Sequence, residues 1–225
     1  MIPLYDDQPT RRPPIATVAI ILLNVAVFVL WQLPSGLNRT VLQAGFVPEA
    51  LTEHEPGAMT HLITSMFMHG GWMHLLGNMW FLWIFGKNVE DVCGHIRFVC
   101  FYVLSGAGAT LLYAMFSPDS EVPLVGASGA ISGVLGAYLL KFPKATVRTL
   151  VFFGFTTIIN IPAFLFLLIW IGMQLYLQTA SHASHQTGGV AYMAHIGGFV
   201  AGCILIFIFQ GSEPPPPPRY REDEW

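Results

Sequence analysis

The strongest constraint on this chain is a set of long uncharged apolar runs separated by short polar breaks. Ile15 to Leu33, Ser128 to Leu140 and Ala191 to Phe209 contain no Asp, Glu, Lys or Arg. A backbone surrounded by hydrocarbon must satisfy its own polar groups, so runs of this kind become helices. Composition points the same way. Of 225 residues only 10% are charged and 54% are hydrophobic, which fits a polytopic membrane protein and not a soluble domain. A formal charge of −3, with ten scattered basic residues, leaves no basic face for nucleic acid. The three cysteines, Cys93, Cys100 and Cys203, lack metal-ligand spacing and suggest free thiols.

Taken in order, the runs predict an all-α fold, a bundle of six transmembrane helices with a structured loop between helices 1 and 2. Helix 1 covers Ile15 to Leu33. It follows Asp6, Asp7, Arg11 and Arg12 without a small-residue cleavage site, so it reads as a retained anchor. Pro34 to Gly71 is the structured loop, too apolar for disorder. Helix 2 is expected over Met73 to Phe85, helix 3 over Ile96 to Phe116, and helix 4 from Ser128 to Phe142. The run from Leu150 to Leu177 exceeds one straight span and is interrupted by Asn160 and Pro162. Helix 5 is therefore expected to start near Ile161, after an interfacial segment. Helix 6 covers Ala191 to Phe209. The expected domains are a cytoplasmic tail over 1–14, a membrane domain over 15–210 and a proline-rich cytoplasmic tail over 211–225, extended at Pro214 to Pro218.

Charge orients the bundle. Arg11, Arg12, Lys87, Arg97, Lys141, Lys144, Arg148, Arg219 and Arg221 fall on one side and Arg39 alone on the other, which predicts both termini in the cytoplasm. Helices 2, 4 and 6 then all start at the outer face, and polar residues near their starts share one depth.

Those residues are chemically complementary. Helix 2 opens with HGGWMHLLGN, placing His74 and Asn78 four apart on one face. Helix 4 opens at Ser128 in GASGAISG, where unpaired N–H groups create a positive field. Helix 6 carries His195, followed by Gly198 and Gly202 on much the same face. Helix 4 spans only about 22 Å against a core of about 30 Å, so its outer end lies below the membrane surface. A serine alone is a common cap, and glycines at four-residue spacing commonly serve packing. A hydroxyl, an imidazole and a His/Asn pair at one depth on three helices instead suggest nucleophilic acyl transfer. Ser128 would attack, neutral His195 would act as general base, and His74, Asn78 and the Ser128 N–H would hold the oxyanion. No intramembrane carboxylate is available from the outer side to orient His195, so the pair reads as a dyad. Ser132, one turn below on the same face, is the rival nucleophile.

GASG at helix 4, HGGWMHLLGN at helix 2 and AHIGG with Gly202 at helix 6 resemble the rhomboid family of intramembrane serine proteases, and MIPLYDDQPTRRPP is similar to its bacterial members. The resemblance runs from Ile15 to about Phe209. It implies Ser128 and His195 as catalytic residues and His74 with Asn78 in the oxyanion site. It also implies transmembrane protein substrates in a lipid bilayer, cleavage at small residues near the outer face, no cofactor or metal, and residence in a bacterial plasma membrane. Glu90 matches an acidic residue that the family uses structurally. Two positions depart from the pattern: Thr60 and His61 stand where Trp-Arg often precedes a Leu-x-Thr stretch, and Ser132 occupies the position of a tyrosine that stacks on the histidine. The alternative is an inactive relative that binds or escorts membrane clients; retention of Ser128 and His195 argues against it. A channel would call for inverted repeats or paired broken helices, which the chain lacks. A zinc set of His182, His185 and His195 lacks a nearby Cys or carboxylate. Ser181 to Thr187 is a candidate cover for a wet site.

Overall fold

Small residues at four-residue spacing let two helix backbones touch, and this chain has them on facing surfaces. The computed structural model describes residues 1–152, 154, 156–183 and 191–211, with the backbone alone for 181–183. In chain order these form strand β1 (Ile2–Asp6), helix α1 (Ile15–Ser35), three short helices α2 (Leu37–Ala44), α3 (Pro48–Thr52) and α4 (Ala58–Thr64), and helix α5 (72–93). Helices α6 (His95–Phe116) and α7 (Ser128–Lys141), strands β2 (Thr146–Phe152) and β3 (Thr156–Pro162), and helices α8 (Ala163–Ala183) and α9 (Tyr192–Phe209) follow. Among the described residues four helices are long and apolar enough to cross a membrane: Ile15–Ser35, His95–Phe116, Ala163–Ala180 and Tyr192–Phe209. The chain is a mostly helical integral membrane protein.

The centre is the contact of α7 with α9. A Cβ added to Gly198 would lie 2.0 Å from the Gly129 carbonyl oxygen, and one on Gly202 would lie 1.9 Å from that of Gly133. Helix α6 closes the other side of α7, where a Cβ on Gly133 would meet the Ser105 Cβ at 2.4 Å. Without a hydrophobic driving force between helices in lipid, this close van der Waals packing is what holds them together. Around the seam lie the fully buried rings of Phe85, Phe98, Phe101, Tyr102, Tyr138 and Phe166.

Helix α5 runs past the expected end at Phe85 because its later charges are satisfied. Lys87 Nζ meets Asp6 Oδ1 at 3.0 Å. Glu90, 1% exposed, caps α1 by accepting from the Ala16 N–H at 2.8 Å, the Thr17 N–H at 2.7 Å and the Thr17 hydroxyl at 2.6 Å. Its carboxylate also contacts His95 Nδ1 at 2.5 Å. A carboxylate at a helix N-terminus satisfies orphan donors and complements the dipole, so Glu90 has the structural role that the resemblance implied.

The all-α expectation is corrected by a three-stranded antiparallel sheet in the order β1-β2-β3. Residues 146–152 and 156–162 pair as antiparallel strands, so α8 starts at Ala163, after Ile161 and Pro162 have completed β3. The N-terminal residues are also more than a tail: Ile2 pairs with Leu150, Tyr5 with Arg148 and Asp6 with Val147. Side-chain contacts also anchor β1. Trp80 Nε1 donates to the Pro3 carbonyl at 2.6 Å, and buried Asp6 accepts from the Tyr138 hydroxyl at 2.5 Å and from the Asn88 amide. Burial raises the Asp6 carboxyl above its usual range, while Lys87 and Tyr138 pull it back. Arg148 and Lys141 lie at this same end, against Tyr5 and Gln210. Glu49 stands near Glu121, Glu53, Asp119 and Glu55 at the other.

Two outcomes follow for stability in detergent. Gly202→Ala drives a methyl into the Gly133 carbonyl and should destabilise the fold by about 1–3 kcal/mol; an unchanged thermal unfolding temperature would contradict the seam. Asp6→Ala leaves Lys87, Tyr138 and Asn88 without their shared partner and should cost roughly 3–5 kcal/mol. A variant that unfolds with the parent would show that β1 is not clasped as described.

Candidate active site

Ser128 is the first residue of α7, as expected from the motif. The segment before it is pinned by backbone hydrogen bonds. Phe46 and Leu124 exchange backbone hydrogen bonds of 2.9 and 2.7 Å, and the Gly126 N–H donates to the Ser65 carbonyl at 2.9 Å. Thr64 Oγ1 donates to the Ala44 carbonyl at 2.8 Å, so α4 is tied to α2 in a chain that has Thr60 and His61 instead of Trp-Arg. Gly126 takes a φ of +121°, a left-handed backbone that glycine adopts without strain.

His195 lies one turn before Gly198 on α9, and the seam contact between Gly198 and Gly129 brings its ring across from Ser128. His195 Nε2 is 2.9 Å from Ser128 Oγ, and His195 Nδ1 is 2.8 Å from Gln174 Oε1. An amide oxygen only accepts, so Nδ1 carries the proton and Nε2 presents its lone pair to the serine hydroxyl. The imidazole is also flanked by Trp170, with ring centroids 5.9 Å apart and planes tilted by 33°. Trp170 in turn stacks on Phe199 at 6.3 Å.

The rival hydroxyl is occupied. Ser132 is 1% exposed and its Oγ donates to the Ser128 carbonyl at 2.7 Å, a back-bond within the helix.

On α5, His74 and Asn78 approach the same place from the opposite side. The turn before them is set by Gln32 of α1, whose side chain accepts from the His69 N–H at 2.9 Å and donates to the His69 carbonyl at 3.1 Å. His74 Nδ1 accepts from the Gly70 N–H at 3.3 Å, which leaves Nε2 as the donor. Asn78 Nδ2 is buried with no hydrogen-bond partner among the described residues. A Cβ on Gly126 would stand 2.6 Å from His74 Nε2 and 3.6 Å from Asn78 Nδ2. Both donors therefore converge on the space beside the backbone two residues before Ser128. The first turn of α7 adds N–H groups without intrahelical acceptors. A recess lined by Ser65, Gly106, Thr110, Gly126 and Ser128 adjoins them.

The structure thus brings together all four residues singled out from the motifs. Sequence reasoning missed Gln174 and Trp170. The signal was present: Gln174 is the only strongly polar side chain between Ala163 and Tyr176. The three-histidine zinc set includes His185, outside the described residues, and His182, whose side chain is not described. Among the described residues no group of three or more His, Cys, Asp or Glu could hold a metal ion. Most of the candidate cover Ser181 to Thr187 and all of Pro214 to Pro218 lie outside the described residues.

The chain is similar in sequence to known proteins. The Rhomboid domain family matches residues 56–212. Rhomboid protein 1, mitochondrial, of Saccharomyces cerevisiae is 30% identical over 199 residues, which cover 83% of this chain and 51% of that protein. RHOMBOID-like protein 6, mitochondrial, of Arabidopsis thaliana is 35% identical over 153 residues, 65% of this chain and 42% of that protein. Rhomboid protease GluP of Bacillus subtilis is 31% identical over 195 residues, 85% of this chain and 35% of that protein. The chain spans about half the length of these relatives or less. Two are mitochondrial by name and one is bacterial, so the similarity to bacterial members does not assign a bacterial plasma membrane. With a family match over more than half of its residues, the chain belongs to the rhomboid family.

Proposed function

We propose that this protein is an intramembrane serine endopeptidase that hydrolyses peptide bonds in or beside transmembrane segments. The observation that carries the reading is the 2.9 Å contact between His195 Nε2 and Ser128 Oγ across two helices that a glycine seam holds in register. Buried polar groups in spans are costly and tend to mark function, and here an acceptor nitrogen and a hydroxyl face one another.

In this reading His195 Nε2 takes the Ser128 proton as Oγ attacks the scissile carbonyl carbon. The carbonyl oxygen becomes an oxyanion, stabilised by His74 Nε2–H, Asn78 Nδ2–H and the Ser128 N–H. Collapse of the tetrahedral intermediate breaks the C–N bond, and the imidazolium returns its proton to the leaving amine. Water then attacks the acyl-serine with His195 again as base, which releases the carboxylic acid and restores the hydroxyl. A small recess beside Ser128, lined in part by Ser65 and Thr110, lies where that water would approach.

The reading also takes α5 and α7 as membrane crossings beside the four long spans, giving six, with the basic end on the cytoplasmic side. Membrane-embedded segments of other proteins are the substrates that can reach a hydroxyl at this depth. The escort alternative differs in one testable respect, since a binding-only scaffold needs no reactive serine.

Cleavage of a reporter transmembrane substrate by purified protein in liposomes tests the assignment. Ser128→Ala should reduce cleavage to background while Ser132→Ala stays active; activity that survives in Ser128→Ala would refute it. Gly126→Ala should lower the rate roughly 10²–10³-fold, the usual effect of losing an oxyanion donor, because its methyl would displace His74. A Gly126→Ala enzyme with parental turnover would remove His74 from the site.

A further inference from the structure

We infer that Gln174 on α8 is a positioning residue for the general base, doing with a neutral amide what a carboxylate does in a Ser-His-Asp arrangement. The inference rests on the proposed reading of Ser128 and His195. Gln174 is 6% exposed, and its side chain spans from the helix to the imidazole. Its Nε2 donates to the Trp170 carbonyl through a long 3.4 Å contact, which turns the amide so that Oε1 faces His195 Nδ1 at 2.8 Å. Packing alone does not require a polar side chain at this point of an apolar helix, where desolvating an amide is unfavourable unless it gains a partner. The partner it gains is the one nitrogen whose protonation decides whether Nε2 can accept from Ser128.

The surroundings explain why an amide suits this position. Among the described residues, the polar and titratable groups that interact with His195 are Ser128 on α7, Gln174 on α8 and His74 on α5. Trp170 of α8 covers the ring, while α6 presents Ala109 and Leu112 toward the α7–α9 seam. None of these is a fixed charge. An acid in this membrane-embedded place would carry a desolvation cost, whereas the amide selects the Nδ1–H tautomer and ring orientation without introducing charge. Gln174 and Trp170 also supply the fixation of the imidazole that a tyrosine at the position of Ser132 would otherwise give.

One consequence ties the base to its neighbouring helix. Of the four long spans α8 is the least enclosed, with 22% of its apolar window buried. The tautomer of His195 is therefore set from the span with the least buried surface, through Gln174.

The experiment measures pH profiles of kcat and KM for reporter cleavage by the full chain in liposomes, with the parent, Ser128→Ala, Gln174→Leu and Gln174→Glu. Gln174→Leu should lower kcat by about 10-fold or more, the rate equivalent of one buried hydrogen bond, with a smaller change in KM. Gln174→Glu should recover turnover at alkaline pH and move the acid limb of kcat/KM to higher pH, because a nearby carboxylate favours the imidazolium and the base must be neutral to act. A residue that only packs would leave that limb where it is. If Gln174→Leu cleaves at the parental rate, or Gln174→Glu leaves the limb unmoved, the inference fails. Activity in Ser128→Ala would instead overturn the reading beneath it. Should Gln174→Leu prove too unstable to purify, the Gln174→Glu profile decides alone.

Discussion

The contact between the backbones of α7 and α9 is the interaction on which the rest depends. Helices in lipid gain little from burying one apolar surface against another, so affinity comes from closeness, and closeness requires the absence of side chains. Gly129 and Gly133 on one helix and Gly198 and Gly202 on the other meet carbonyl to Cα, with no room for a methyl between them. That contact fixes depth as well as proximity. Ser128 precedes Gly129 and His195 lies one turn before Gly198, so the seam register sets the hydroxyl and the imidazole facing each other. The site is in this sense a by-product of helix packing, and its geometry is as rigid as the seam.

The other elements close the site from either end. At the end opposite the basic residues, the residues before Ser128 are pinned to Phe46 and Ser65, which holds Gly126 in a left-handed turn against His74. At the basic end, Glu90 caps α1 while Asp6 gathers Lys87, Tyr138 and Asn88, so that the N-terminal strand binds α5 and α7 together. Buried carboxylates of this kind are retained where several donors converge on them. Both act on α5, the helix that carries His74 and Asn78.

Much of the site was legible because its logic is local. A serine at the start of an uncharged helix, a histidine three and seven residues before glycines, and a His/Asn pair at one-turn spacing are patterns that periodicity reveals. The sheet was hidden for the opposite reason. Its pairings join residues 2–6 to 147–150, a relation between distant segments, and both faces of β2 and β3 carry apolar residues such as Val147, Leu150, Val151 and Ile158. Without a polar face the two-residue period is lost, and a strand resembles a piece of buried helix. The continuation of α5 past Phe85 was hidden because the partners of Lys87 and Glu90, Asp6 and the first turn of α1, lie far away in sequence. Gln174 was visible as the first amide in an otherwise apolar run, but only the fold shows that it faces Nδ1 of His195.

The central claim is that the packed seam turns Ser128 into a nucleophile through His195. The most direct measurement is mass-spectrometric mapping of the adduct left by a fluorophosphonate probe on the purified protein, in which a serine oxygen displaces fluoride from phosphorus. The account predicts a single adduct on Ser128 that disappears in His195→Ala. An adduct on Ser132 or elsewhere, or undiminished labelling of Ser128 without the imidazole, would contradict it.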